Sequence, residues 1–229
     1  MRKPQRTVVA LTALGVLMTA CGSSATSTAE GDLPSAAKAE NDLVAALVSR
    51  QAQVSYAEGV TLDELFPSHG EESELDSFRG SVLEVQAGRA FDDIAERAVA
   101  EPVAFDDPKA DWRTFEVHAK VIESFTGQAQ PGDEITFGLV FGSDMKIETV
   151  EQGLVAMGEF VAFTYDAPAT PAFDSSIAQV LQDGAYLSPV DGDRVPFPAI
   201  ADQEGEVTDA YVAQIDTLAE LRALADRSE

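Results

Sequence analysis

The chain has 229 residues, of which 45% are hydrophobic, and it carries 40 Asp and Glu against 15 Lys and Arg. The hydrophobic content is ordinary for a soluble globular domain, whereas the formal net charge of −25 repels a phosphate backbone, so nucleic acid is excluded as a partner. Cys21 is the single cysteine, so no disulfide can form within the chain and an exported domain would depend on its core alone.

The N-terminus has the layout of a secretory signal peptide. Arg2, Lys3 and Arg6 precede 13 uncharged residues, from Val8 to Ala20, that end in small side chains. A helix that spans a bilayer needs about 20 apolar residues, so this run is too short for an uncleaved transmembrane anchor. The sequence therefore predicts that residues 1–20 are removed.

The exit from this run carries a motif. Residues 18–23 read Met-Thr-Ala-Cys-Gly-Ser, which resembles the lipobox of bacterial lipoproteins, with Met18 where Leu is commonest. The resemblance implies cleavage before Cys21, a diacylglycerol such as one bearing palmitate on its thiol, and a place on the extracytoplasmic face of the cell membrane. Two or more acyl chains anchor a protein stably. The alternative is a buried or free Cys21 thiol.

Residues 22–37 are small and polar, and together with Cys21 they form a predicted flexible tether over residues 21–37. Loss of residues 1–20 leaves 12 basic against 40 acidic residues, a net charge of −28. This charge repels anionic lipid, and it indicates either solubility or the capture of cations and basic partners.

A helical lead-in is expected over residues 38–77. An apolar stripe indicates a helix over 36–54, and a short helical turn over 61–66 stops at Pro67. Residues 68–76 are acidic and are predicted as a loop.

Residues 78–200 are predicted to form a β-domain. The clearest strand is 112–125, where apolar and polar side chains alternate as they do in a sheet with one solvated face. Further strands are expected at 81–88, 134–141, 158–165 and 179–188, with a short helix over 91–101, a loop over 101–111 and a tight turn at 191–193. The predicted barrel core comprises Phe115, Val117, Val121, Ile135, Phe137 and Phe163.

The order of strand, insertion, long strand, the loop Gly127–Asp133, strand and the segment Gly158–Tyr165 (GEFVAFTY) resembles the OB-like barrel of netrin-type modules, metalloprotease-inhibitor domains and uncharacterised secreted actinobacterial proteins. The resemblance implies a small OB-like β-barrel. Together with the helices that the sequence patterns predict on either side, the expected fold is mainly β with flanking helices (α+β), a barrel with N-terminal and C-terminal helices. Inhibitors of that family use a free N-terminal cysteine and disulfides. Because Cys21 would be acylated and is the single cysteine, that inhibitory mechanism does not carry over.

The C-terminal segment 201–229 is predicted to be helical. Thr208 is a suitable N-cap, and Tyr211, Ile215 and Leu218 form a stripe within a helix over 208–226. We expect this helix to dock on the barrel, because an isolated helix of this length is only marginally stable in water.

The sequence carries no GxSxG, Walker A, GxGxxG, HExxH or CxxC motif. His118 is expected on the solvated face of its strand, and His69 lies in an acidic run that could ligate a cation. Trp112 is expected in the core or at the rim. Three acidic pairs are candidates for glycoside hydrolysis, namely Asp92 with Asp93, Asp106 with Asp107, and Asp191 with Asp193.

None of these residues has a spacing that fixes a catalytic, cofactor or metal role. The sequence thus predicts a membrane-anchored extracytoplasmic lipoprotein, a non-enzymatic interaction module without a cofactor, that meets an unknown protein or envelope component. Its membrane partner would be engaged through the lipid on Cys21. The alternative is an envelope hydrolase with a carboxylate-based site.

Overall fold

The computed structural model describes Val44 and residues 75–92, 101–181, 184–201 and 216–228. The strands and helices in these ranges, numbered in chain order, are β1 (Leu75–Asp92), β2 (Glu101–Val103), β3 (Trp112–Thr126), β4 (Glu134–Gly142), α1 (Ile147–Ala156), β5 (Glu159–Tyr165), β6 (Ala178–Val180), β7 (Leu187–Pro189), α2 (Pro198–Ala201) and α3 (Leu218–Ser228).

Five strands close into a barrel because the long strand β1 pairs on both of its edges. Its first half is antiparallel to β5, and it is antiparallel to β3 over most of its length. From β3 the order runs to β4, then through a parallel pair to β6, and back to β5. Helix α1 connects β4 to β5. The predicted fold class, a mainly β OB-like barrel with helices, is confirmed.

The barrel core follows from the alternation along β3 and β4. Phe115, Val117, Val121 and Phe137 are at most 1% exposed, and Ile135 packs against the same cluster, partly buried. Edge-to-face ring contacts hold the centre together, with Phe160 5.4 Å from Phe137 and 6.0 Å from Phe78 between centroids. These core positions were readable from the sequence.

Phe163 is buried as predicted, but it belongs to a second layer. Its ring contacts Tyr186 at 5.7 Å and Phe197 at 6.2 Å. Side chains alternate along a strand, so Phe163 lies on the face of β5 opposite to Phe160, outside the barrel. The segment GEFVAFTY is apolar on both faces because the chain after Gly184 covers its outer side.

Three elements predicted for the chain before Trp112 differ from the structure. Phe91 and Asp92 pair with Pro102 and Glu101 as strand, so the helix predicted over 91–101 is wrong at both of its ends, while 93–100 lies outside the described residues. The loop predicted over 101–111 likewise begins as strand β2, and Leu75 and Asp76 belong to β1 rather than to the acidic loop.

The stretch predicted as one strand over 179–188 is two strands. β6 pairs with β4 and β5, whereas β5 is the one described strand that pairs with β7. A turn with Gly184 at φ 96° precedes β7. Helix α1 was not predicted. The tight turn at 191–193 is confirmed, since Asp191 and Arg194 exchange backbone hydrogen bonds of 3.1 and 3.0 Å around Gly192.

The helix predicted over 208–226 is interrupted at 216–217, and α3 begins at Leu218. Asp216 accepts a hydrogen bond from the Val195 N–H at 2.7 Å, and Thr217 forms a bridge with Arg194. A continuous helix over 208–226 is therefore wrong at 216–217, where the chain is extended. Residues 202–215, with the proposed Thr208 cap and most of the Tyr211 stripe, lie outside the described residues.

A capping box starts α3 instead. The Thr217 hydroxyl accepts the Glu220 N–H at 3.2 Å, and the Glu220 carboxylate accepts the Thr217 N–H at 3.2 Å. Leu218, Leu221 and Leu224 are at most 5% exposed, so this helix packs on the domain. Of the helix predicted over 36–54 only Val44 is described; it is helical and 1% exposed.

Candidate binding surface

The outer side of β3 and β4 carries a polar surface, because the apolar residues of both strands point inward. Outward positions are Glu116, His118 and Lys120 on β3, with Thr136 and Gly138 on β4. The register sets His118 opposite Thr136 and Glu116 opposite Gly138. We call these five residues, together with Phe173, the His118 face.

His118 is fixed on this surface through one ring nitrogen. Its Nδ1 lies 3.0 Å from the Thr136 hydroxyl oxygen. Its Nε2 is shielded from solvent and has no hydrogen-bond partner among the residues that the structure describes. A shielded polar atom without a partner costs about 1–3 kcal/mol. His118 is therefore on the outer face, as predicted, but its ring is only partly solvated.

Phe173 covers the neighbouring part of the face. A Cβ atom added to Gly138 would overlap the Phe173 ring, so the ring lies directly on the backbone of β4. A small turn holds it there, since Thr170 and Phe173 exchange hydrogen bonds of 2.8 and 3.1 Å. Glycine inside a strand often marks such a close approach.

The loop that carries Phe173 is tied to β1. Arg89 bonds the Asp174 carboxylate at 2.6 Å and the Pro171 carbonyl at 2.9 Å. Arg89 itself sits at a bulge, where the Thr114 hydroxyl accepts its N–H at 2.6 Å and donates to its carbonyl at 3.2 Å. The far end of β1 thus positions one border of the His118 face.

A second polar cluster ties α3 to the barrel. Arg222 forms a two-pronged ion pair with Glu123 of β3, at 2.6 and 2.8 Å, and Arg79 bonds the Glu159 carboxylate alongside. The hydrogen bonds from Arg222, with further attraction from Arg222 and Arg79, outweigh burial and lower the pKa of Glu123. The same pair raises the pKa of Arg222.

The acidic pairs considered from the sequence lie in structural turns or strands. Asp107 accepts the Lys109 N–H at 2.8 Å, and its carbonyl accepts Arg113 at 3.0 Å. Asp193 lies in the hairpin turn beside Asp191 and accepts the Leu218 N–H at 2.8 Å. Asp92 of β1 pairs with Glu101 of β2, and Asp93 lies outside the described residues.

Trp112 lies at the rim of the barrel, 45% exposed and paired with Phe91 and Gly142. Cys21 and His69 lie outside the described residues. Within the described ranges, no group of three or more His, Cys, Asp or Glu side chains is placed to hold a metal ion. In the same ranges, no helix has the length and apolar character that crossing a bilayer requires.

Comparison with known proteins adds no relative: no family model, curated protein or solved structure matches the chain. The resemblances to bacterial lipoproteins and to netrin-type modules therefore stay predictions.

The sequence indicated His118 as an outward residue but not its partners. Thr136 could have been read from the outward parity of β4. Phe173 could not, because it belongs to a loop whose position depends on the Arg89 contacts. The one local signal was Gly138, a glycine at an outward position inside the strand.

Proposed function

We propose that the chain is an extracytoplasmic lipoprotein that binds a protein or envelope component through the His118 face. The diacylglycerol on Cys21 would hold it at the cell membrane, and the tether over 21–37 would give the barrel clearance. Two features support the anchor: the lipobox-like residues 18–23, and the basic N-terminus followed by an uncharged run.

The observation that carries the binding proposal is the state of the His118 ring. Thr136 holds one ring nitrogen, while the other is shielded and has no partner among the described residues. A partner that displaces the atoms covering this nitrogen and supplies one hydrogen bond there would recover the free energy that the isolated ring nitrogen costs. Phe173, which is only 5% exposed, packs beside it on Gly138 and forms one border of the face.

In-cell photo-crosslinking tests the proposal. A photoreactive residue is placed at Glu116, on the face, and in a matched strain at Gln152, an exposed position of α1. We expect a discrete adduct from position 116 that His118→Ala abolishes, and none from position 152. Equal adducts at both positions, or an adduct at 116 that persists in His118→Ala, would overturn the assignment of the face.

A further inference from the structure

Strand β1 has an open edge beside the His118 face. Residues 75–81 pair with β5, and residues 90–92 pair with β2. Between them, the Val82 N–H bonds the Gly158 carbonyl at 2.9 Å. Over residues 84–87, β1 pairs with β3 on one side, and no described strand pairs with it on the other.

The direction of the backbone groups follows from the register. Val121 exchanges hydrogen bonds of 2.9 Å with Asp133 and Gly132 on the β4 side. The backbone N–H and C=O groups of successive residues point to alternate sides of a regular strand. The backbone groups of Glu116 and His118 in β3 therefore point toward β1. They lie opposite Gln86 and Glu84, which therefore bond to β3.

Val85 and Ala87 consequently point their N–H and C=O groups outward, away from β3. The Val82 bond to Gly158 agrees with this alternation, since Val82 follows Ser81, which is opposite Lys120. Neither Val85 nor Ala87 has a backbone partner on that side among the described residues. The open stretch from Leu83 to Arg89 is about 20 Å long, enough for a short added strand.

The side chains along this edge leave it accessible. Leu83 is 52% exposed, and Glu84, Gln86 and Ala87 are exposed as well. Edges of natural sheets are often protected by Lys or Pro, and residues 82–88 contain neither. Leu83 supplies an apolar contact at one end of the open stretch.

The charges favour a basic occupant. Arg79 and Arg89 both have carboxylate partners, Glu159 and Asp174, whereas Glu84 makes no ion pair with any described residue. Glu116 lies near it on the same face, and the chain as a whole carries a net charge of −25. Opposite charges on neighbouring strands stabilise pairing, and like charges weaken it.

We propose that the open edge of β1 binds a basic, extended segment of a partner protein as an added strand, with backbone hydrogen bonds to Val85 and Ala87. This inference rests on the proposed function and names the kind of partner that the His118 face would meet. Strand addition gives affinity through the backbone and selectivity through alternate side chains.

Peptide binding tests the proposed strand addition. The chain as the cell makes it is solubilised in mild detergent and mixed with each of three peptides. The first peptide alternates Lys and Val over nine residues, the second replaces Lys by Glu, and the third is the Lys–Val peptide methylated at every backbone amide. We expect the first to bind and to protect the Val85 and Ala87 amides from hydrogen exchange. The other two should bind at least about tenfold more weakly.

Variants assign the contact. Ala87→Pro removes an outward N–H and should weaken binding about tenfold, whereas Ala87→Val keeps that N–H and should bind like the wild type. Glu84→Lys should weaken binding severalfold, and Glu134→Lys, the same charge change on β4, should not.

The inference would be overturned by no binding of the Lys–Val peptide, by equal binding of the methylated peptide, or by unprotected Val85 and Ala87 amides. The methylated peptide tests the backbone hydrogen bonds on the wild-type chain, so the inference stays testable even if Ala87→Pro does not fold. Dimers that Ala87→Pro dissociates would identify a second copy as the occupant and reject the basic partner. If the Lys–Val peptide does not bind while the crosslinks at position 116 are observed, the His118 face binds its partner by another contact. If no crosslinks form at position 116 either, the proposed function is rejected together with this inference.

Discussion

Single residues in this barrel have roles set by the face they occupy. Val117 and His118 are neighbours in sequence, yet Val117 is 0% exposed in the core while His118 lies on the outer polar face. The sequence alone predicted this division on β3, because every second residue is apolar. It could not tell whether Phe163 lies inside or outside the barrel, because both faces of β5 are apolar. The outer face is recognised only from the chain after Gly184, which covers it.

Val117→Asp tests the inward assignment. A carboxylate in the core would have no partner, and the free energy of unfolding should fall by about 3–5 kcal/mol, measured by urea denaturation. Ile122→Asp places the same charge at a 39% exposed position of the same strand and should cost much less. A soluble Val117→Asp chain of wild-type stability would show that the assignment is wrong.

Gly138→Ala tests the contact with Phe173. The added methyl group would overlap the ring and should destabilise the fold by about 1–3 kcal/mol. In Phe173→Ala the space is open, so the glycine substitution should cost little in that background. Additive effects in this double-mutant cycle would contradict the packing of Phe173 on β4.

At the scale of strands and helices, some elements could be predicted from local sequence patterns and others could not. The alternation of β3 and β4 is local and was readable, whereas β6 and β7 are short strands that exist because distant partners, β4 and β5, bind them. Helix α1 has apolar residues at Ile147, Val150 and Leu154, but Gly153 and its β-branched residues weaken the helical signal. Of the stripe predicted for the C-terminal helix, Leu218 begins α3, while Tyr211 and Ile215 lie outside the described residues.

Removing α3 should destabilise the domain. Leu218, Leu221 and Leu224 are buried, and each buried leucine contributes about 1.5–3 kcal/mol. Deletion of residues 216–229 should therefore lower the melting temperature by many degrees, and Leu221→Ala alone should cost about 2–5 kcal/mol. Ala223→Ser on the exposed side of α3 is the control. An unchanged melting temperature after the deletion would mean that the helix is not part of the stable fold.

The ion pair between Glu123 and Arg222 predicts a dependence on pH. The pKa of Glu123 is lower in the folded chain than in the unfolded chain, where it is about 4.3. Its contribution is therefore fully present above that value and is lost as pH falls through the folded pKa.

Thermal unfolding of Glu123→Gln against the wild type measures this contribution. We expect the wild type to melt higher at pH 7 and the difference to shrink as pH falls below about 4.3. Glu134→Gln, at an exposed position of β4, is the matched control. A difference that does not change with pH would show that the charge on Glu123 does not hold α3.

At the scale of the whole molecule, the net negative charge and the proposed lipid on Cys21 would act in opposite directions at a membrane. The charge of −28 expected after cleavage disfavours contact with anionic lipid, so attachment would depend on Cys21 alone. The N-terminal assignments rest on sequence, since those residues lie outside the described ranges.

Cys21→Ser tests the anchor. Without the thiol no lipid can be attached, so the variant should leave the membrane fraction or keep its signal peptide, as read by fractionation and mass spectrometry. Cys21→Ala should behave in the same way, while Ser24→Ala in the tether should not change the fractionation. A Cys21→Ser chain of mature size that still sediments with membranes would refute the lipid anchor.

The double pairing of β1 also governs when the domain can fold. Leu75 pairs with Tyr165, and Ser77 pairs with both Phe163 and Thr126. A chain that emerges N-terminus first cannot close this ring until the segment that contains Tyr165 is free, and such distant pairings make folding slow. Until then the inner faces of β1, β3 and β4 stay uncovered, so a ribosome or an export channel would release an open sheet that becomes a barrel only late in synthesis or transport.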